Sequence, residues 1–408
     1  MTVENIVIVG GGHAAAALCS ALAEAGQGGR IQLVCAEHDL PYQRPPLSKS
    51  FLKKADEAIA SHKAAAWYAE QGIQTHLGDP VLSIDREARR VLLRSGTALP
   101  YHQLVLATGT RARTLDALPP GLHNVRVLRD ATDARALRTR LNEMVASGQR
   151  LTVLGGGFIG LELAASARQL GLEVGVLEVA PRLLGRSVSA LIAEHVLAHH
   201  RSMGTEVQIG VRIEGFELVG ERLRSMQVDG NRIEVDELVL GIGAVPETRL
   251  ASACGLAVDN GVLVDACMRT SDPAVLAIGD CAAFLTADGA RLRLESVQNA
   301  NDQARSAAAT LLGREEPYRA LPWFWSEQGP MRLQMAGLLP PISESALRSG
   351  ANAGSFTLFH LQDGRLLCAE SVNAPMDHMM ARKLIEAGVS VDIEALTNPA
   401  IPLKSLLG

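Results

Sequence analysis

Disulfide and metal chemistry have little to work with in this chain. Its six cysteines, Cys19, Cys35, Cys254, Cys267, Cys281 and Cys368, are scattered with no CxxC pair and no zinc or iron–sulfur spacing. That pattern suits a reducing cytosol and cysteines serving as small core residues. The eleven histidines include no HExxH, and the adjacent His199 and His200 read as solvated helix positions, so no metal site is expected. No apolar run reaches membrane-spanning length, and the N-terminus runs straight into a strand without a cleavable leader, which predicts a cytoplasmic protein without a membrane partner. The net charge of −5 gives no overall attraction to nucleic acid. Lysine is rare, six against 33 arginines, and aromatic residues make up 3% of the chain. Any lysine at a constrained position and any aromatic cluster therefore stands out.

What is present is ordinary globular composition, 47% hydrophobic and 20% charged over 408 residues, enough for two or three domains. The organising stretch is 151–181. The short apolar run Leu151-Thr152-Val153-Leu154 meets Gly155-Gly156-Gly157-Phe158-Ile159-Gly160, a helical pattern follows through Leu170, and a second apolar strand ends at Glu178. This is a βαβ unit with the dinucleotide fingerprint. Gly155 allows the tight turn, Gly157 lets backbone approach a pyrophosphate, and Gly160 lets the helix pack close to the strand; Phe158 and Ile159 lie at the helix N-terminus that faces the phosphates. Glu178, 23 residues after Gly155, is placed to accept hydrogen bonds from the adenosine ribose and to repel a 2′-phosphate, which predicts NADH rather than NADPH.

The same fingerprint occurs at the N-terminus, where Ile6-Val7-Ile8-Val9 leads into Gly10-Gly11-Gly12-His13-Ala14-Ala15, a helix to about Ala25 and a strand at 31–35. Ala15 takes the third glycine position, and Glu37 is the acid expected on the ribose. Two such folds imply two dinucleotides. Next comes Pro41-Tyr42-Gln43-Arg44-Pro45-Pro46-Leu47-Ser48-Lys49, read as a proline-stiffened extended segment before a helix that Ser48 could cap. Lys49 follows that rigid turn. The strand 104–107 ends at Thr108-Gly109, Pro119-Pro120-Gly121 reads as a linker, and the strand 238–242 leaves through Gly243, where backbone can approach a ligand. Late in the chain, Ala274–Ile278 runs into Gly279-Asp280, and 323–325 reads Trp-Phe-Trp. Trp323 is expected to anchor a core and Trp325 to stack on a nicotinamide.

Assembled, these motifs resemble the oxygenase-coupled NADH–ferredoxin reductases, FAD proteins that feed [2Fe–2S] ferredoxins. PYQRPPLSK at 41–49, LATGTRAR at 106–113, GGGFIGLE at 155–162, TSDPAVLAIGDCA at 270–282, ESVQNANDQA at 295–304 and PWFWS at 322–326 carry the resemblance. It implies an α/β architecture with two Rossmann-like dinucleotide-binding domains, the NAD domain inserted in the FAD domain, plus a C-terminal α+β domain. The boundaries would be 1–112 and 247–321 for FAD, 113–246 for NAD, and 322–408 for a domain covering the flavin. By position it implies that Ala14, Lys49, Val81, Thr108, Gly109, Arg129, Asp280 and Val297 contact FAD. Glu162, Glu178 and Arg186 would face NADH. Lys49 would lie beside the isoalloxazine with Glu162 near it, and Trp325 would line the nicotinamide face. The chain departs from the family at Ala36, where an acid is usual, and at Glu327, where Asp is common.

NADH gives up two electrons as a hydride whereas an iron–sulfur cluster accepts one at a time, and a flavin bridges the two. The implied reaction is hydride transfer from NADH to FAD, then single electrons to a [2Fe–2S] ferredoxin serving a cytochrome P450 or ring-hydroxylating oxygenase. The protein would be a monomer or weak dimer with a local basic patch, for which Arg44, Arg111 and Arg319 are candidates. Reduction of rubredoxin or a quinone, or redox sensing as in apoptosis-inducing factor, are the other readings. A cysteine-dependent peroxidase or oxidase is disfavoured, because no cysteine lies between Cys35 and Cys254.

Overall fold

The computed structural model describes residues 4–185, 187–286 and 289–407. Two compact units emerge, one formed by Met1–Arg44, Ala58–Arg111 and Ala244–Ala320, the other by Pro45–Glu57, Ala112–Gly243 and Leu321–Gly408.

The first unit is built on a five-stranded parallel sheet in the spatial order Val275–Ala277, Gln103–Leu106, Ile6–Val9, Ile31–Cys35, Gln74–Leu77. All four residues of Ile6–Val9 are buried, as expected for a central strand of a parallel sheet covered on both faces, where apolar runs are continuous rather than alternating. The chain leaves this strand to one side and returns on the other, so its carboxyl end is a switch point at which α/β sheets hold ligands. Helix His13–Glu24 packs against helix Val297–Leu311, whose buried face carries Ala300, Ala304, Ala307 and Ala308; small side chains permit the close approach. A three-stranded antiparallel sheet (Val81–Asp85, Arg90–Leu93, Ala98–Pro100) completes the same core as the parallel strands.

The second unit repeats the design. Its parallel sheet runs Glu206–Ile209, Glu173–Glu178, Arg150–Leu154, Glu237–Leu240, Val125–Arg126, again with the fingerprint strand in the middle. The antiparallel sheet Trp323–Gln328, Met331–Gly337, Arg365–Val372, Phe356–Gln362, Glu344–Ser349 belongs to the same unit. Helix Pro375–Ala387 packs against it. This helix starts earlier than the sequence pattern near Met379 suggests, because Pro375 at its first turn presets a helical φ and lacks only an N–H that would be unpaired there.

Three local expectations fail. Residues Pro45–Ser48 form a 3₁₀ turn rather than an extended segment. Ser48 does not cap the short helix Ser50–Lys53, whose N-cap is Lys49 without a side-chain bond, because its hydroxyl is drawn to a buried carboxylate described below. His200 is not solvated: it is fully buried, with Nε2 bonded to Gln328 Oε1 at 2.9 Å, and burial pushes its pKa down to about 4. Its neighbour His199 reaches the Gln328 carbonyl at 2.9 Å. Five of the six cysteines are buried and all are free, in keeping with small core residues. Among the described residues no helix is long and apolar enough to cross a membrane.

Candidate active site

Both fingerprint turns have the geometry that a dinucleotide needs. In the second unit Gly155 has φ +112°, and a Cβ there would stand 2.4 Å from the Gly241 carbonyl oxygen, so the turn closes only on glycine. A Cβ on Gly160 would meet the Gly155 oxygen at 2.4 Å, which is the close helix–strand packing inferred from the spacing. Gly157 has no nearer neighbour than Gly241 O at 3.8 Å, leaving room in front of the turn. In the first unit Gly10, φ +126°, would bring a Cβ to 2.1 Å from Ala107 O, while Gly12 has nothing within 4 Å.

Side-chain caps are absent from both fingerprint helices, as they are from helix Pro375–Ala387, where Pro375 occupies the first turn. Helices Ala131–Ser147, Ala190–Ser202 and Val297–Leu311 are capped by the side chains of Asp130, Ser189 and Ser296. Helices His13–Glu24 and Phe158–Gln169 begin at Gly12 and Gly157 with no side-chain cap. No side chain accepts from their first-turn N–H groups, and the space at Gly12 and Gly157 is open, the arrangement that leaves a helix N-terminus available to phosphate. The residues present thus fit one dinucleotide in each unit.

Around the first turn, motifs distant in sequence converge. A Cβ on Gly279 would lie 3.0 Å from Ala14 Cβ, which puts Gly279-Asp280 against the fingerprint helix. Gly279 N–H donates to Gln303 Oε1 at 2.7 Å. Ala15 is fully buried, and Val81 opens its strand nearly buried. Thr108 Oγ1 donates to Glu247 O at 2.7 Å, followed by Gly109 at φ +64°. Val297 is the first residue of its helix. Glu37 lies just past strand Ile31–Cys35; its Oε2 accepts from Tyr42 Oη and its Oε1 from Arg44 Nη2, both at 2.6 Å. Arg44 is thereby committed to an ion pair and stacks 5.1 Å from the Tyr42 ring centroid, which removes it as a free basic docking residue.

In the second unit, Glu178 ends its strand with Oε2 accepting from Gly156 N–H at 2.6 Å and Oε1 from Ala180 N–H at 2.7 Å. The backbone therefore fixes the carboxylate beside the glycine turn. Gly243 has φ +97° and open space at its Cβ position. Ile159 is half exposed at the helix N-terminus, and Phe158 packs edge-on against Phe324 at 5.0 Å. Arg129 N–H donates to Asp133 Oδ2 at 2.9 Å, near the start of helix Ala131–Ser147. Arg186 lies outside the described residues.

The chemical centre of this unit is a buried ion pair. Glu162 is 3% exposed, and its Oε2 accepts from Lys49 Nζ and from Ser48 Oγ, both at 2.6 Å. Its Oε1 accepts from Ser326 Oγ at 2.7 Å. Lys49 Nζ also donates to Pro45 O at 3.0 Å, so the Pro45–Ser48 turn aims a carbonyl at the ammonium. Ser166 Oγ closes the cluster by donating to Ser48 O at 2.7 Å. A buried charge needs such partners. The sequence marked Lys49 and Glu162 and missed the roles of Ser48 and Ser326; both sit in the quoted motifs PPLSK and PWFWS, but nothing in the spacing showed that they share one carboxylate.

Trp325 and Trp323 project from the same face of strand Trp323–Gln328, with ring centroids 5.7 Å apart and planes 33° from parallel. Trp323 is not the core anchor expected of it: it is only partly buried, with the Arg382 guanidinium 4.5 Å over its ring.

The description "Pyridine nucleotide-disulphide oxidoreductase" matches residues 4–304, and "Reductase C-terminal" matches 323–407. The chain belongs to the pyridine nucleotide-disulphide oxidoreductase family. It is 41% identical to the anthranilate 1,2-dioxygenase system ferredoxin–NAD(+) reductase component of Burkholderia cepacia, over 100% of both chains. Among solved structures it is similar to the ferredoxin reductase for the CYP199A2 system from Rhodopseudomonas palustris, with TM-score 0.94 and 40% identity over 99% of this chain and 100% of that one. It is also similar to the reductase of the covalent putidaredoxin reductase–putidaredoxin complex, with TM-score 0.92 and 36% identity over 99% of this chain and 98% of that one. The fold is the two-nucleotide α/β architecture with a C-terminal reductase domain. The protein is an oxidoreductase, and the family implies FAD and NAD(H) as its cofactors.

Proposed function

We propose that this protein is a cytoplasmic NADH-dependent ferredoxin reductase, taking hydride from NADH onto FAD and passing single electrons to a [2Fe–2S] ferredoxin of an oxygenase system. The observation that carries the reading is the buried Lys49–Glu162 pair, with no thiol pair beside it. Family members that reduce disulfides need reactive cysteines. Here burial raises the thiols of Cys19, Cys35, Cys281 and Cys368, Cys35 to about 12, which keeps them protonated and poor as nucleophiles. Electrons therefore leave the cofactor directly.

The proposed division is an FAD domain at 1–112 and 247–321, an NAD domain at 113–246 and a flavin-covering domain at 322–408; the two family matches, ending at 304 and starting at 323, support the last boundary. FAD, when bound, supplies the two-electron to one-electron conversion. The first-unit turn at Gly10, Gly12 and Ala15 would seat its pyrophosphate, Glu37 its adenosine ribose and Asp280 its ribityl chain, with Ala14, Val81, Thr108, Gly109, Arg129 and Val297 as further contacts. Gly155, Gly157 and Gly160 would seat the NADH pyrophosphate, Glu178 would accept from the ribose hydroxyls, and Phe158, Ile159, Arg186 and Gly243 would line the approach. Lys49 places an ammonium where it favours negative charge on the flavin ring, and Glu162 moderates that field. Trp325 supplies a flat face for the nicotinamide. None of these side chains needs to move a proton for hydride transfer.

The test is NADH-dependent cytochrome c reduction by the purified holoprotein with and without a [2Fe–2S] ferredoxin from the same source. A large ferredoxin-dependent increase, lost with NADPH, is the expected outcome. Fast flavin reduction with no increase for several ferredoxins would overturn it.

A further inference from the structure

Helix Ala190–Ser202 starts at Ser189, whose side chain accepts from Ile192 N–H. A serine in that position is commonly completed by a glutamate three residues on, which reaches back to the serine's own N–H. Here the third residue is Ile192, an apolar side chain that is fully buried. The carboxylate comes instead from strand Arg365–Val372: Glu370 Oε1 accepts from Ser189 N–H at 2.9 Å, 181 residues away in the chain. A negative charge there also suits the positive end of the helix dipole.

Glu370 is 1% exposed, and burying a carboxylate costs free energy that its partners must offset. Its other oxygen, Oε2, lies 2.8 Å from Nε2 of His360, itself 2% exposed. The second ring nitrogen, Nδ1, lies 3.1 Å from Ser345 Oγ and 3.3 Å from Ser343 Oγ. The carboxylate is therefore held from behind and presents one oxygen to the start of the helix. Capping alone does not call for a buried charge pair: helices Ala131–Ser147 and Val297–Leu311 are capped by their own Asp130 and Ser296.

What the anchor holds is the segment 179–188, which joins Glu178 to this helix. Its near end is tied to the glycine turn. Ala180 N–H donates to Glu178 Oε1 at 2.7 Å and Leu184 N–H to Gly156 O at 3.0 Å, and a Cβ on Gly156 would stand 2.4 Å from Leu183 Cδ2. Leu184 holds φ +52°, a conformation that a leucine keeps only where its surroundings fix it, and such residues gather at ligand clamps. The far end is tied by Glu370 through Ser189.

We propose that Glu370 is a positioning residue for NADH. By fixing Ser189 it fixes the segment that lies against Gly156 and Glu178, and the inference rests on the reading of that corner as the ribose site. Glu370 acts through Ser189, so its effect falls on the binding of NADH and not on hydride transfer.

NADH–ferricyanide turnover of the purified holoprotein tests this without a ferredoxin. In Glu370→Met, KM for NADH should rise about fivefold or more while kcat stays within about twofold of the parent, the signature of lost binding alone. Glu370→Gln keeps an acceptor for Ser189 N–H and should recover most of the rise. Ser189→Pro removes the same bond from the other side and spares the buried pair, since Ser189 has φ −65°, an angle that proline adopts. Its KM should exceed that of Ser189→Ala, which keeps the N–H, by a similar factor, and this comparison decides the matter if Glu370→Met does not fold. Arg348→Met loses a buried guanidinium that donates to the Leu396 and Ile401 carbonyls in the same unit, so Tm should fall with KM unchanged. An unchanged KM in Glu370→Met, no recovery in Glu370→Gln, equal KM in Ser189→Pro and Ser189→Ala, or the same rise in Arg348→Met would each overturn the proposal. Glu178→Gln separates the two readings: if it raises KM while Glu370→Met does not, only the proposal falls, and if neither raises KM, the ribose site falls with it.

Discussion

Glu162 shows how much one carboxylate can organise. Three side-chain donors, from Lys49, Ser48 and Ser326, converge on it although it is buried. Removing one member of a buried pair leaves the other charge stranded, so Lys49→Met should destabilise the protein by about 3 kcal/mol in denaturant unfolding. The double variant Lys49→Met/Glu162→Gln should recover most of that loss, since no buried charge remains. The same Lys49→Met change should shift the flavin potential or slow hydride transfer in stopped-flow reduction; unchanged values for both would confine Lys49 to a structural role. Glu178 is the other residue whose chemistry is specific. Its oxygens are held by Gly156 and Ala180 N–H groups, which orients the carboxylate before any ligand arrives. Glu178→Gln keeps one acceptor and removes the charge, so kcat/KM for NADH should fall about tenfold while that for NADPH rises. The sequence placed Glu178 from its spacing alone, yet it did not show that backbone N–H groups fix it.

At the scale of elements, the two βαβ turns separate glycines at which a Cβ would clash with the fold from those at which it has room. Gly155→Ala would push a Cβ to 2.4 Å from Gly241 O at a positive φ, so low soluble yield or a large fall in Tm is expected. Gly157→Ala has room for its methyl group and should fold normally while raising KM for NADH about tenfold, because the methyl occupies the approach of the pyrophosphate. Both helices were legible in the sequence because the 3.6-residue pattern and the glycine spacing agree. The Pro45–Ser48 turn was not, because two prolines fix φ but leave ψ open. What selects the 3₁₀ turn is the pull of Lys49 and Ser48 toward Glu162, 113 and 114 residues away.

For the whole molecule, buried histidines set a lower limit of pH. His200 and His378 have pKa values near 4 in the fold, against about 6.5 in the unfolded chain. Above about pH 6.5 both states are neutral and the full stability is present; between 6.5 and 4 the unfolded chain binds more protons, so stability falls as pH falls. Thermal unfolding should show Tm dropping by on the order of 5 °C between pH 7 and pH 5. His200→Gln, whose amide can still donate to Gln328, should show a smaller drop. The histidine pair 199–200 looked solvated in the sequence because adjacent polar residues on a helix usually are. Their contact with Gln328 lies 128 residues on for His200 and 129 for His199, and no local pattern encodes it.

Local pattern determined the two nucleotide folds, their open turns and the position of Glu178 at the end of its strand, because each rests on residues within one βαβ stretch whose spacing is dictated by strand, turn and helix geometry; the family was legible from motifs spread along the chain from 41 to 326. Tertiary structure decided the rest: the shared carboxylate of Ser48, Lys49 and Ser326, the burial of His200, the pairing of Arg44 with Glu37, and the stacking of Arg382 on Trp323. Those depend on which distant side chains a folded core desolvates together, and desolvation is a property of the packed molecule rather than of any segment.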